Sequence, residues 1–147
     1  MTQEDKELLL KDLCARLPYG VIVEDTRCKI RGSLHDLFIY PKYKGDEIYD
    51  YIACTGFYHD CYYDDIVLFK PYLFPMSSMT EEQKNSCSVD KSIINAFISG
   101  EIALFEDEVL SANDIINLVD WLNKNHFDYR GLIEKGLALD ATNLNIY

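Results

Sequence analysis

Pro71 and Pro75 constrain this chain more than any other pair of residues. They stand four apart in Lys70-Pro71-Tyr72-Leu73-Phe74-Pro75. Proline has a fixed φ and no N–H to donate, so two of them this close are expected to end a strand run and not to sit in a central strand. The pattern before them is strand-like and the pattern after them is helical. The division predicts a single α+β domain over residues 1–147. It has an N-terminal helix, a small antiparallel sheet or SH3-like barrel over about residues 20–72, and two or three helices over about residues 80–140.

The local signals are specific. Thr2 can cap a helix over residues 2–17, with Glu4 and Asp5 in its first turn and Leu9, Leu13 and Leu17 on one stripe. Pro18 and Gly20 break it. Val21-Ile22-Val23 reads as a strand, and residues 49–54 and 65–69 are the best later strand candidates. Gly32-Ser33, Pro41, Gly45-Asp46 and Gly56 read as turn points. Thr80-Glu81-Glu82-Gln83 is a capping box. Asp90 caps a helix whose apolar face is Ile93, Ile94, Phe97 and Ile98, with Gly100 as its stop. Ser111-Ala112-Asn113-Asp114 opens another, lined by Ile115, Leu118, Val119 and Leu122, with Trp121 at its edge. Residues 128–135 read as a last short helix stopped by Gly136.

Charge excludes several classes of function. The 147 residues carry 14 Lys+Arg against 25 Asp+Glu, a net charge of −11. Residues 1–75 hold −4 and residues 76–147 hold −7, so the acid excess is spread along the chain. Phosphate neutralisation needs clustered cations, so double-stranded nucleic acid is not an expected partner. The longest apolar runs are a few residues, against the roughly 20 that a membrane span needs, so no membrane partner is expected. The N-terminus lacks the basic and apolar segments of a signal peptide. The five cysteines are odd in number and irregularly spaced, as free thiols in a reducing cytoplasm would be.

Aromatic residues concentrate in the middle. Between Phe38 and Phe74 lie 8 of the 11 tyrosines and 4 of the 7 phenylalanines. Tyr40, Tyr43, Tyr49, Tyr51, Tyr58, Tyr62 and Tyr63 supply rigid, amphipathic contact area, which suits a protein-binding face or a pocket that stacks a ring. Tyrosine is also a good strand residue, so half-buried sheet positions explain the same density. A single-stranded nucleic-acid platform would need a basic groove, and here Asp46, Glu47, Asp50, Asp60, Asp64 and Asp65 outnumber Lys42, Lys44 and Lys70.

Motifs for chemistry are sparse. His35-Asp36 and His59-Asp60 could together hold a metal and activate water, which is one enzymatic reading. Cys54 and Cys61 flank His59, but not at a zinc-knuckle spacing, so no metal and no cofactor is expected. Gly-x-Ser-x-Gly, P-loop and Gly-x-Gly-x-x-Gly patterns are absent from the sequence. The segment after the last long helix has more character. Trp121, His126, Tyr129 and Arg130 include the residue types that dominate binding hot spots. The competing reading is that Trp121 and Phe127 pack on the core while Arg130 pairs with an acid.

Three stretches resemble a family of short uncharacterised proteins of Bacteroides-group gut bacteria and their prophages and mobile elements. They are KELLLKDLCARLPYG (residues 6–20), KPYLFPMSSMTEE (residues 70–82) and DWLNKNHFDYRGLIEKGLA (residues 120–138). Residues 24–69 do not match, as though a variable module sat between constant flanks. The family pattern has Arg where this chain has Phe74, which removes any role for a cation there. The resemblance implies a genomic setting and no reaction. Small acidic proteins of that setting often bind and block a host protein. The sequence therefore points first to a noncatalytic module with a protein partner, including an inhibitor of a host defence protein. The expected contact residues are Tyr49, Tyr51, Tyr58, Tyr62, Tyr63, Trp121, His126, Tyr129 and Arg130. A nucleotide-like ligand in a Tyr-lined pocket and a metal-dependent hydrolase using His35, Asp36, His59 and Asp60 are the alternatives.

Overall fold

The computed structural model describes residues 1–44, 47–56, 66–100 and 111–147, and for 38–44, 47–56 and 67 it describes the backbone alone. Helix α1 (Gln3–Arg16) begins with a full capping box, in which Thr2 Oγ1 accepts from Asp5 N–H and Asp5 accepts from Thr2 N–H. This satisfies two of the four N–H groups that a helix start leaves unpaired. Pro18 then turns the chain through a short 3-10 segment, and Gly20 closes it at φ 64, a conformation that a side chain resists.

Strand β1 (Ile22–Asp25) pairs antiparallel with β2 (Arg31–Ser33) on one side and with β5 (Phe69–Pro75) on the other. Two short strands, β6 (Phe127–Asp128) and β7 (Leu139–Asp140), then pair with β5 in parallel. The sheet is open and mixed, running β2-β1-β5-β6 with β7 also on β5. The α+β class stands, and every described strand pair within residues 20–72 is antiparallel, as expected. The sheet is not closed into a barrel, and its parallel pairs come from β6 and β7, beyond that range. The sequence after Pro75 is helical, yet it also returns two strands to the sheet.

β5 is the central strand, and it contains both prolines. The expectation from Pro71 and Pro75 was wrong for a specific reason. Thr26 N–H donates to the Leu68 carbonyl at 2.8 Å, which sets the hydrogen-bonded positions of this antiparallel pair at every second residue. Pro71 lies opposite Val23 at an intervening position, where the ladder asks for no N–H. On its other edge β5 is paired from Tyr72 onward, so the missing N–H falls beyond that pairing. Pro75 is the last residue of the strand.

Two further strands, β3 (Asp36–Lys44) and β4 (Glu47–Gly56), form a separate two-stranded antiparallel sheet. Lys42 faces Asp50 and Tyr43 faces Ile48, so Tyr49 is the extra residue of a bulge. Pro41 lies inside β3 and Gly32-Ser33 inside β2, so these expected turn points belong to strands instead. The turn expected at Gly45-Asp46 lies outside the described residues. The strand expected over residues 65–69 is displaced, since Ile66–Leu68 is a 3-10 turn and β5 starts at Phe69.

Three helices follow, as expected. They are α2 (Glu81–Ser86), capped by Thr80 and Gln83, α3 (Lys91–Ser99), capped by Asp90, and α4 (Ala112–Lys124), capped by Ser111 and Asp114. Asp128 belongs to β6 and residues 129–135 form turns rather than the expected helix, with the Asp128 carboxylate taking the N–H groups of Leu132 and Ile133 at 2.9 and 2.7 Å.

Apolar side chains divide into two clusters. One joins α1 to the main sheet through Leu9, Leu13, Val21, Val23, Phe69, Leu73 and Leu132. The other joins α3, α4 and the residues flanking α2 to β6 through Met79, Cys87, Ile94, Leu118, Leu122 and Phe127. Burying a leucine side chain contributes about 2 kcal/mol, so Leu9 and Leu13 together fasten α1 to the sheet. On α4, Leu118 and Leu122 are buried, whereas Ile115 and Ile116 are 47% and 58% exposed.

Candidate functional site

The polar groups of greatest interest begin on α1. Asp12 and Arg16 stand one turn apart on the same stripe as Leu9 and Leu13, and both are fully buried. Arg16 holds Asp12 with two hydrogen bonds, Nε to Oδ2 at 2.7 Å and Nη2 to Oδ1 at 3.1 Å. Its Nη2 also donates to the Phe127 carbonyl at 2.7 Å, and its Nη1 to the Leu122 carbonyl at 3.5 Å. The guanidinium thus reaches the Leu122 carbonyl in the last turn of α4 and, through the Phe127 carbonyl, ties α1 to β6. Burial pushes the Asp12 carboxyl up, against the Arg16 hydrogen bonds and charge that pull it down.

The residues after α4 close around this pair. Arg130 Nε lies 3.4 Å from Asp12 Oδ1. Both guanidiniums lie over the Tyr129 ring, Arg16 at 5.6 Å and Arg130 at 4.9 Å from its centroid. Tyr129 Oη donates to Asn123 Oδ1 at 3.1 Å and accepts from Arg130 Nε at 3.2 Å. Trp121 stacks on Phe127 at 5.6 Å and 15°. Trp121 and Tyr129 are partly buried, and the Arg130 side chain is 27% exposed. The structure therefore brings Trp121, His126, Tyr129 and Arg130 together, with their rings and the polar groups of Tyr129 and Arg130 engaged inside the fold.

His126 differs from the others. It follows α4 with φ 58, the left-handed position usually given to glycine after a helix. Its carbonyl accepts from Phe74 N–H at 2.9 Å, which links α4 to β5. Its ring stacks on Tyr147 at 4.0 Å and 15°. Burial, and then the Arg16 charge, depress the imidazole to about 4, so the ring is neutral near pH 7. Among the described residues, His126 Nδ1 is the buried side-chain nitrogen or oxygen that has no hydrogen-bond partner.

A second polar cluster lies on the main sheet. Glu24, on β1, accepts from the Tyr72 hydroxyl and from Lys29 Nζ at 3.1 Å, with Arg31 Nε 3.4 Å away. Arg31 also covers the Tyr72 ring at 5.1 Å. Burial and the hydrogen bond to Glu24 raise the Tyr72 phenol to about 12, while the same hydrogen bond holds Glu24 below its usual range. Beside it, hydrogen bonds from Arg27 lower Asp25 to about 2. In both clusters the acids are paired with nearby cations, and among the described residues the buried group left unpartnered beside them is His126 Nδ1.

The other sequence candidates are placed as follows. Tyr49 and Tyr51 lie on β4, Tyr49 at the bulge and Tyr51 opposite Pro41. Tyr58, Tyr62 and Tyr63 lie outside the described residues, as do His59, Asp60 and Cys61. His35 and Asp36 are exposed. Among the described residues, no group of three or more His, Cys, Asp or Glu is placed to hold a metal ion. Also among them, no helix is long and apolar enough to cross a membrane. Cys14 and Cys28 are exposed free thiols and Cys87 is a buried one.

The Asp12–Arg16 pair is what sequence reasoning missed. The signal was present, because residues 9, 12, 13 and 16 share the i, i+3, i+4, i+7 stripe that was read from its leucines alone. The three stretches that carry the resemblance meet at this place, through Arg16 on Phe127 and Phe74 on His126. Phe74 lies 6.1 Å from Phe127 and 5.8 Å from Tyr147 in tilted ring contacts. Compared with protein-family models, curated proteins and solved structures, the chain matches none.

Proposed function

We propose that this chain is a noncatalytic protein-binding module whose contact face is the β3–β4 hairpin. One observation carries the reading. Nine- and ten-residue strands pair with each other and, among the described residues, with no third strand. A two-stranded ribbon alone is marginal in water, and its outer edges carry rows of N–H and C=O groups open to another chain. Strand addition uses such edges for affinity and side chains for specificity. The tyrosines of this segment are suited to the second task.

The noncatalytic part of the reading rests on the polar clusters, whose charges serve each other and the backbone. The genomic setting implied by the resemblance makes a host protein, in particular a defence protein, the partner class to test first.

The test is affinity capture from lysates of several host bacteria, with wild-type chain and the Tyr49→Ala/Tyr51→Ala double variant as baits. A specific partner held by the wild type and lost by a folded double variant supports the reading. Equal capture by both removes the hairpin as the contact face. Capture of nothing specific from any host counts against a binding module.

A further inference from the structure

Residues 142–145 are exposed, and Tyr147 is 45% exposed as a whole. The hydrogen bonds of residues 142–146 stay within residues 140–146, as Leu144 N–H to the Ala141 carbonyl and Ile146 N–H to the Leu144 carbonyl. The Tyr147 hydroxyl is different, because it reaches the main sheet. It accepts from Ile22 N–H at 3.1 Å and donates to the Tyr72 carbonyl at 2.7 Å. Its ring lies flat on His126 and tilted against Phe74.

These partners form a slot with a narrow chemical requirement. One atom must accept from Ile22 and donate to Tyr72 at once, beneath a flat ring that stacks on an imidazole. A hydroxyl on an aromatic ring meets this. A carboxylate has no proton to give the carbonyl, and an ammonium cannot accept from the amide. The slot itself is built from β1, β5 and the residue after α4, all tied into the core. Its occupant is held by a single side chain that follows an exposed segment. The occupant also leaves something unmet, since His126 is 7% exposed as a residue and its buried Nδ1 has no hydrogen-bond partner.

We propose that this slot is a binding site for a tyrosine side chain on an extended peptide of a partner protein, and that residues 142–147 close it in cis as a displaceable strap. A partner that supplies the phenol and also a hydrogen-bonding group for His126 Nδ1 makes every contact of Tyr147 and one more. This site is independent of the hairpin edges, so either reading can fail without the other.

The experiment uses the full chain carrying Tyr147→Ala, with a synthetic peptide of residues 141–147 as the probe and backbone amide shifts as the readout. Saturable shifts at Ile22 and Phe74 are expected in the variant. Binding to the wild type should be at least about tenfold weaker, because the tethered strap competes at high effective concentration. A peptide with Phe in place of its Tyr should bind about five- to tenfold more weakly, the effect of one lost hydrogen-bonding group. Absence of shifts in the folded variant, or equal binding to variant and wild type, would overturn the proposal. So would loss of cooperative unfolding in Tyr147→Ala, which would make the ring part of the core. Tyr147→Phe gives a check that needs no peptide. Faster amide exchange at Ile22 is expected, and unchanged exchange contradicts a slot closed through the hydroxyl.

Discussion

Arg16 donates to the Phe127 carbonyl across 111 residues of sequence, at 2.7 Å, while it grips Asp12 one turn away on its own helix. A fully buried guanidinium with these partners is a structural tie. Removing one member of such a pair leaves the other charge buried and uncompensated. Arg16→Ala should therefore destabilise the fold by about 3–5 kcal/mol, and Asp12→Ala by a similar amount. The double change Asp12→Leu/Arg16→Met should recover most of the loss, because apolar replacements leave no buried charge. Urea unfolding of the four chains measures this, and equal losses in the singles and the double would contradict it.

His126 gives the stability a specific pH dependence. Its folded pKa of about 4 lies below the unfolded value near 6.5, so the unfolded chain binds the proton more readily. Its contribution is complete above about pH 6.5 and declines as the pH falls toward 4, by at most roughly 3 kcal/mol. Urea midpoints at several pH values should fall through this window, and His126→Asn should flatten the fall. A wild-type curve that stays flat from pH 6.5 to 4.5 would contradict a neutral, buried imidazole.

Tyr72 donates to a carboxylate that Lys29 and Arg31 also face. Tyr72→Phe keeps the ring beneath Arg31 and removes the hydroxyl. A hydrogen bond to a charged group contributes about 1.5–3 kcal/mol, so a loss of about that size is expected. Ultraviolet titration should also lose a phenol that titrates near 12 in the wild type. A neutral substitution would mean that Glu24 relies on its cations alone.

Thiol accessibility offers a check that needs no mutation. Cys14 and Cys28 are exposed and Cys87 is buried beside Met79 and Ile94. Under native conditions an alkylating reagent, with sites mapped by mass spectrometry, should label the first two well before Cys87. In denaturant all three should react alike.

Helix starts were the most legible part of the fold. Thr2, Thr80, Asp90 and Ser111 each cap the helix expected of them, because capping is a contract between residues within three positions. The prolines were misread because the parity of a strand's hydrogen bonds depends on its partner. Nothing within residues 70–75 says that Val23 will stand opposite Pro71. Arg16 was missed for a related reason, since its value lies in a carbonyl at residue 127. The gathering of Trp121, His126, Tyr129 and Arg130 was legible because they are neighbours in sequence. Their engagement with Asp12, Phe127 and Tyr147 was not, because those contacts depend on how distant elements pack.

A partner docked along β3 and β4 would cover their backbone amides. Hydrogen–deuterium exchange of the chain alone and saturated with its captured partner tests this docking most directly. Amides of Asp36–Lys44 or Glu47–Gly56 should slow on binding, because a strand added to an open edge ties up its N–H groups. Unchanged exchange in both strands, with protection appearing elsewhere on the chain, would contradict the account.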